Sequence, residues 1–298
     1  MNIAAIHPLP DSGSEGARLA SRLNVPMVPI EIHRFPDGEL RVTANLIAET
    51  SIIYGSLDHP SDKLLALLFA AEALRRQGAR RLVLVAPYLC YMRQDTAFHA
   101  GEAISQKVVG ELLAAAFDRV ITVDAHLHRT KSIRDVFPGI ESEDVSSMPA
   151  VAETLRGSGL AIATIVVGPD QESEAWVTDL AARLGLGHAV GHKARRGDRS
   201  VVITFDEASR LESRPILLID DIVSTGGTLI ACAKALVDAG VTTIDAVVTH
   251  ALFAPELTTE FLRAGIRSVR STCTVPHPSN AIALDAILAE ALRVEVGP

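Results

Sequence analysis

The sequence predicts an α/β chain of two domains, each a mostly parallel sheet flanked by helices. Short runs rich in Val and Ile alternate with longer helical patterns almost from end to end, the order that parallel sheets with helical crossovers require. The runs are continuously apolar rather than alternating, as in strands covered on both faces. At 298 residues and 48% apolar composition, the chain holds enough apolar material for two cores of ordinary domain size, which is favoured over one oversized core.

The strand candidates, in order, are residues 3–7 (IAAIH), 51–56 (SIIYGS), 81–86 (RLVLVA), 119–124 (RVITVD), 163–168 (ATIVVG), 200–205, 215–220 (PILLID) and 243–249 (TIDAVVT). Between them, Ile104, Val108, Leu112 and Ala116 recur at helical spacing, as do Leu229, Cys232, Ala233 and Leu236 before the stop signal Gly240; both stripes are read as core. Pro138, Gly139, the acids Glu141, Glu143 and Asp144, and Pro149 interrupt the apolar rhythm, which sets an expected boundary and domains of 1–145 and 146–298. Asn280 to Val294 reads as one Ala/Leu/Ile-rich helix with no breaker.

A formal charge of −8 argues against a general nucleic-acid binder, which needs concentrated Lys and Arg. Small phosphorylated substrates remain compatible with it, because a cleft can focus local positive potential on an acidic protein. Cys90, Cys232 and Cys273 are widely spaced among apolar neighbours and read as reduced thiols rather than a disulfide framework or metal site. The N-terminus lacks a basic cluster followed by an apolar segment, and no apolar run approaches the roughly 18 residues of a membrane span. The expectation is a full-length cytoplasmic protein with no membrane partner.

The strongest local signal is residues 216–228, ILLIDDIVSTGGT. An apolar strand delivers Asp220 and Asp221, and the chain turns through Ser224, Thr225, Gly226, Gly227 and Thr228 into a helix start. The glycines allow close backbone approach to an anion, the helix start adds unpaired N–H donors and its positive dipole end, and the threonines add hydroxyls. This is neither a Walker A loop nor a dinucleotide GxGxxG. Adjacent carboxylates at a strand's C-terminal end suit two vicinal sugar hydroxyls.

The strand-Asp-Asp-loop-helix resembles the phosphoribosyl pyrophosphate (PRPP) motif shared by type I phosphoribosyltransferases and ribose-phosphate pyrophosphokinases. Five further segments resemble the second family in order: RFPDGEL at 34–40, the Tyr-x-Arg-Gln-Asp and Gly-Glu-x-Ile-Ser pieces of 87–106, VDAHLH at 123–128, GPD at 168–170 and KARR at 193–196. The resemblance implies two phosphoribosyltransferase-type domains, the first on the ATP side and the second carrying the ribose 5-phosphate loop. It implies ATP contacts at Phe35, Asp37, Glu39, Arg93 and Gln94, and ribose 5-phosphate contacts at Asp220, Asp221 and Ser224 to Thr228. It implies Mg²⁺ associated with His126 and Asp170, catalytic cations at Lys193 and Arg195, and a homo-oligomer. The activity implied is transfer of the β,γ-diphosphate of ATP to ribose 5-phosphate. His128 is read as a loop residue without a ligand role.

The sequence departs from the family pattern at Gln171 to Glu174, where small residues are usual, at Thr96 and Ala97, where basic residues are usual, and at Ser224, where an acid is common. Two alternatives stay open. A type I phosphoribosyltransferase would need the loop but not the segment of Arg93 and Gln94. A non-catalytic, synthetase-like subunit would not need Lys193, Arg195, His126 and Asp170.

Overall fold

The computed structural model describes residues 2–196, 200–206 and 208–297, with residues 2, 194–196, 200 and 201 described by backbone alone. Two compact units form: Met1–Ser146 with Thr274–Pro276 and Asp285–Pro298, and Ser147–Cys273 with His277–Leu284.

The first unit contains β1 (Asn2–Pro8), β2 (Glu31–Arg34), β3 (Leu40–Thr43), β4 (Ala48–Tyr54), β5 (Arg81–Ala86), β6 (Arg119–Val123) and β7 (Glu141–Val145). Its helices are α1 (Gly13–Leu23), α2 (Pro60–Arg76), α3 (Ser105–Ala116) and α4 (Ile133–Val136). Five strands make one parallel sheet in the order β1-β4-β5-β6-β7, while β2 and β3 form a separate antiparallel hairpin. In the central strand β5 every residue from Leu82 to Ala86 is buried, which is why its sequence reads as an unbroken apolar run. The acidic stretch just before the expected boundary forms β7, a polar strand at the sheet edge that the strand candidates did not include. With only one strand neighbour and a partly solvated face, it carries no apolar signature.

The second unit contains β8 (Ile165–Gly168), β9 (Gly187–Val190), β10 (His192–Arg196), β11 (Ser200–Thr204), β12 (Pro215–Val223), β13 (Thr243–Ala251), β14 (Ile266–Thr272) and β15 (Asn280–Ile282). Its helices are α5 (Met148–Arg156), α6 (Glu174–Leu184), α7 (Gly227–Asp238) and α8 (Thr258–Arg263). Six strands pair in parallel in the order β15-β14-β13-β12-β8-β9, and β10 with β11 forms an antiparallel ribbon. The chain leaves β8 for β9 on one side, whereas β12 pairs with β8 on the other, so the strand order reverses between β8 and β12. Open α/β sheets bind ligands beyond the strand ends at such a reversal.

The two helical stripes fare differently. Leu229, Cys232, Ala233 and Leu236 of α7 are fully buried against the second sheet. On α3 the expectation fails: Ile104, Val108 and Leu112 face outward, Val108 being 58% exposed, while Gln106, Val109, Gly110 and Leu113 are buried. The helix carries two apolar flanks, and Gly110 decides between them. A Cβ there would lie 2.3 Å from the Val136 carbonyl oxygen, so glycine alone permits this close approach and turns its own side of the helix inward.

The C-terminal stretch is not one helix. Asn280 opens β15, its amide donating to Ser271 Oγ at 2.9 Å and the Thr272 carbonyl at 2.6 Å. After it come α9 (Asp285–Ala291) and α10 (Arg293–Val296), which return to the first unit. There Glu295, only 5% exposed, accepts from Arg81 Nε at 2.6 Å and Nη2 at 2.9 Å, and from Arg119 Nη1 at 2.9 Å. Both arginines open their strands, so this buried ion cluster closes the sheet end opposite the ligand-facing loops. No helix among the described residues is long and apolar enough to cross a membrane.

Candidate active site

In the second unit the candidate residues gather where the strand order reverses. β12 runs through Asp220 and Asp221 to Val223, and parallel pairing with β8 sets Leu218 beside Val167. Gly168 ends β8 in close contact, since a Cβ there would lie 2.0 Å from Ser173 Oγ. Pro169 and Asp170 follow. Lys193, on β10, donates from Nζ to Asp170 Oδ2 at 3.1 Å. Desolvation, then Asp221, then Asp170 push the Asp220 carboxyl well above its usual range, and Lys193 opposes them. The charges of Asp221 and Asp170 thus act on Asp220 with the Lys193 ammonium opposing them; among the described residues no group of three or more His, Cys, Asp or Glu side chains is arranged to hold a metal ion. Arg195 belongs to the backbone of β10; its side chain lies outside the described residues.

The loop after β12 depends on Gly226. Its φ of +74° is left-handed, and a Cβ would lie 2.4 Å from Leu257 Cδ2 and 2.7 Å from Phe261 Cε1. It caps α7, whose first residue Gly227 is uncrowded and exposed. The first N–H groups of such a helix have no intrahelical acceptor, and Thr225 and Thr228 flank them in sequence, an arrangement suited to an anion. The departure at 171–174 also becomes intelligible. Ser173 is buried, with its hydroxyl donating to the Asp170 carbonyl at 2.5 Å, and Glu174 opens α6. These residues therefore form a helix entry rather than an open glycine turn.

In the first unit, the loops following adjacent strands β5 and β6 come together. Asp95 accepts from Arg129 N at 3.0 Å and Nη1 at 2.9 Å. Thr130 Oγ donates to Gln106 Oε1 at 2.7 Å, while Gln106 N donates to the Gln94 carbonyl at 3.2 Å. These bonds fix Arg93 and Gln94 on one loop and His126 on the other. At the end of β6, Asp124 takes a left-handed φ of +41°, and Ala125 N donates to Asp144 Oδ1 at 2.9 Å. The His126 and His128 rings stack edge to face at 4.2 Å.

Phe35, Asp37 and Glu39 sit elsewhere, on the exposed tip of the β2–β3 hairpin. Phe35 packs edge-on against His33, and Asp37 Oδ1 accepts from Glu39 N at 3.1 Å. No hydrogen bond, ion pair or ring contact among the described residues joins this tip to Arg93 or Gln94. Asp95, Gln106, Arg129 and Asp144 escaped the sequence reading because their parts are second-hand: each holds a loop bearing a candidate residue. Asp95 and Gln106 lie within the segment 87–106 that carries part of the resemblance, but with no role implied there.

Two parallel-sheet units, with a carboxylate-ended strand turning through a left-handed glycine into a helix start, define the phosphoribosyltransferase class of fold. Residues 12–116 match the N-terminal domain of ribose phosphate pyrophosphokinase, and residues 153–278 match the phosphoribosyl transferase domain. The ribose-phosphate pyrophosphokinase of Methanopyrus kandleri is 34% identical over 285 residues, covering 93% of this chain and 94% of that one. Ribose-phosphate pyrophosphokinase 2 of Archaeoglobus fulgidus is 31% identical over 285 residues, covering 96% and 98%. The solved phosphoribosylpyrophosphate synthetase of Mycobacterium smegmatis shares the fold, with a TM-score of 0.82 at 22% identity over 98% of each chain. The chain belongs to the ribose-phosphate pyrophosphokinase family, a family of enzymes.

Proposed function

We propose that the protein transfers the β,γ-diphosphate of ATP to the C1 hydroxyl of ribose 5-phosphate, giving PRPP and AMP. The observation that carries this reading is the meeting of Asp170, Lys193, Asp220 and the Gly226 loop at one strand reversal, in a chain matched by pyrophosphokinases over nearly its whole length.

The Ser224–Thr228 loop and the start of α7 hold the 5-phosphate, and Asp220 and Asp221 take the ribose hydroxyls. Arg93 and Gln94 hold ATP. Phe35, Asp37 and Glu39 serve the same ligand from the exposed hairpin, which fits a homo-oligomer in which a neighbouring copy completes the site. Asp170 and, as the family resemblance implies, His126 would serve Mg²⁺, which would supply neutralisation of the triphosphate charge. Lys193 and Arg195 close over the transferring group, where positioning and charge stabilisation carry the catalysis.

The test is incubation of the protein with ATP, Mg²⁺ and ribose 5-phosphate. AMP release that requires the sugar phosphate supports the reading, and consumption of PRPP with a purine base in its place would support a phosphoribosyltransferase instead.

A further inference from the structure

Behind the Gly226 turn, a chain of hydrogen bonds runs in one direction through a histidine that the activity does not by itself explain. Between β14 and β15, Ser279 N donates to His277 Nδ1 at 3.1 Å, and His277 Nε2 lies 3.0 Å from the Phe253 carbonyl oxygen. An amide N–H only donates and a carbonyl only accepts, so the ring is neutral with its proton on Nε2. The remaining directions follow. Asn280 Nδ2 donates to Ser271 Oγ at 2.9 Å, Ser271 Oγ to Ser279 Oγ at 2.7 Å, and Ser279 Oγ to His277 Nδ1 at 2.7 Å. Burial holds the His277 ring below its ordinary pKa, which keeps this neutral form at neutral pH.

The chain ends on the backbone that carries the candidate phosphate loop. Phe253 follows β13, and its neighbour Leu252 donates from N to the Val223 carbonyl at 2.8 Å, immediately before Ser224. The rings make a second route. His277 lies 4.3 Å from the Phe253 ring, Phe253 meets Phe261 edge-on at 5.2 Å, and a Cβ on Gly226 would lie 2.7 Å from Phe261 Cε1. Phe253 and Phe261 are both buried, so a shift of one is passed to its neighbours. We propose that His277 is a positioning residue for the sugar phosphate, whose Nε2–H, by holding the Phe253 carbonyl, sets the Ser224–Thr228 loop in the form that grips the 5-phosphate. The inference rests on the reading of that loop as the 5-phosphate site. A cradle of N–H groups depends on their direction. The 5-phosphate is remote from the reacting C1 hydroxyl and is gripped alike before and during transfer, so loosening the cradle raises KM and leaves kcat in place.

Two substitutions divide the imidazole. His277→Gln keeps an N–H at the reach of Nε2 and loses the acceptor for Ser279, whereas His277→Asn keeps an acceptor at the place of Nδ1 and loses the donor to Phe253. The measurements are kcat and the KM values for ribose 5-phosphate and ATP in both, in His277→Ala and in Thr228→Ala, with melting temperatures alongside. His277→Ala and His277→Asn should raise the ribose 5-phosphate KM at least about 10-fold, with kcat and the ATP KM within about 3-fold of wild type. His277→Gln should stay within about 3-fold throughout, at a melting temperature close to that of His277→Asn. The Gln and Asn pair decides the matter even where His277→Ala does not fold. Rescue by Asn and not by Gln, or equal losses in the two, would overturn the inference. If Thr228→Ala raises the ribose 5-phosphate KM and no His277 variant does, the inference fails and the loop assignment stands. If Thr228→Ala leaves that KM unchanged as well, both fail. Equal rises in both KM values in His277→Asn would mean general damage and would also overturn the inference.

Discussion

Replacing Lys193 by alanine removes a cation placed 3.1 Å from Asp170, and two effects of different size follow. The first is on rate. A cation aimed at a transferring phosphoryl group is worth about 10³- to 10⁵-fold in the best-studied cases. Arg195 remains on the same ribbon in this variant, so the expected loss in kcat is at least about 10²-fold, or about 2.7 kcal/mol of barrier. The second is on stability. The Lys193 and Asp170 side chains are 24% and 19% exposed, between the surface pairs worth about 0–1 kcal/mol and the buried pairs whose disruption costs about 3–5 kcal/mol. Loss of the lysine leaves the mutual repulsion of Asp170, Asp220 and Asp221 less opposed, and a cost of about 1–2 kcal/mol is expected without divalent cation. Mg²⁺ should recover part of it. The assays are AMP formation at saturating substrates and thermal melts with and without Mg²⁺. A kcat within a few fold of wild type would refute the catalytic reasoning, whatever the melting temperature did.

Asp220→Asn and Asp221→Asn should each weaken ribose 5-phosphate far more than ATP in calorimetric titrations; equal losses for the two ligands would reject their assignment to the sugar. Gly226→Ala combines a left-handed backbone, about 1–2 kcal/mol for an L-residue, with contact against Leu257 and Phe261, and should cost about 2–4 kcal/mol in denaturant unfolding. His7, fully buried with Nδ1 donating to the Val28 carbonyl at 3.2 Å, is lowered to about 4 by burial. Its depressed value means that stability holds above about pH 6.5. Below that the unfolded chain takes up a proton that the folded one refuses until about pH 4, and up to about 3 kcal/mol is lost across the interval. That part of the acid dependence should disappear in His7→Gln.

The outer strands β9, β14 and β15 had no place among the strand candidates, while the central strands of both sheets were legible because they are buried on both faces and their sequences are continuously apolar. β7 was not, since an edge strand with acids on its solvated side reads like a linker, and the β2–β3 hairpin was not recognised behind the motif at 34–40. The inward face of α3 hinged on one atom-scale contact, Gly110 against the Val136 carbonyl, which no periodicity encodes. Asn280 left the predicted helix for the same kind of reason: its amide bonds across the chain to Ser271 and Thr272. At the site, sequence reasoning found residues that stand in motifs. It passed over those that act by holding others, such as His277 and Asp144, because their partners lie in other loops.

Diphosphate transfer from ATP to ribose 5-phosphate can be followed at the phosphorus atoms themselves. In ³¹P NMR of the protein with Mg²⁺, ATP and ribose 5-phosphate, AMP and a sugar-linked diphosphate should appear in equal amounts, with the β and γ phosphorus still joined. ADP with a sugar bisphosphate, or unchanged ATP, would contradict it.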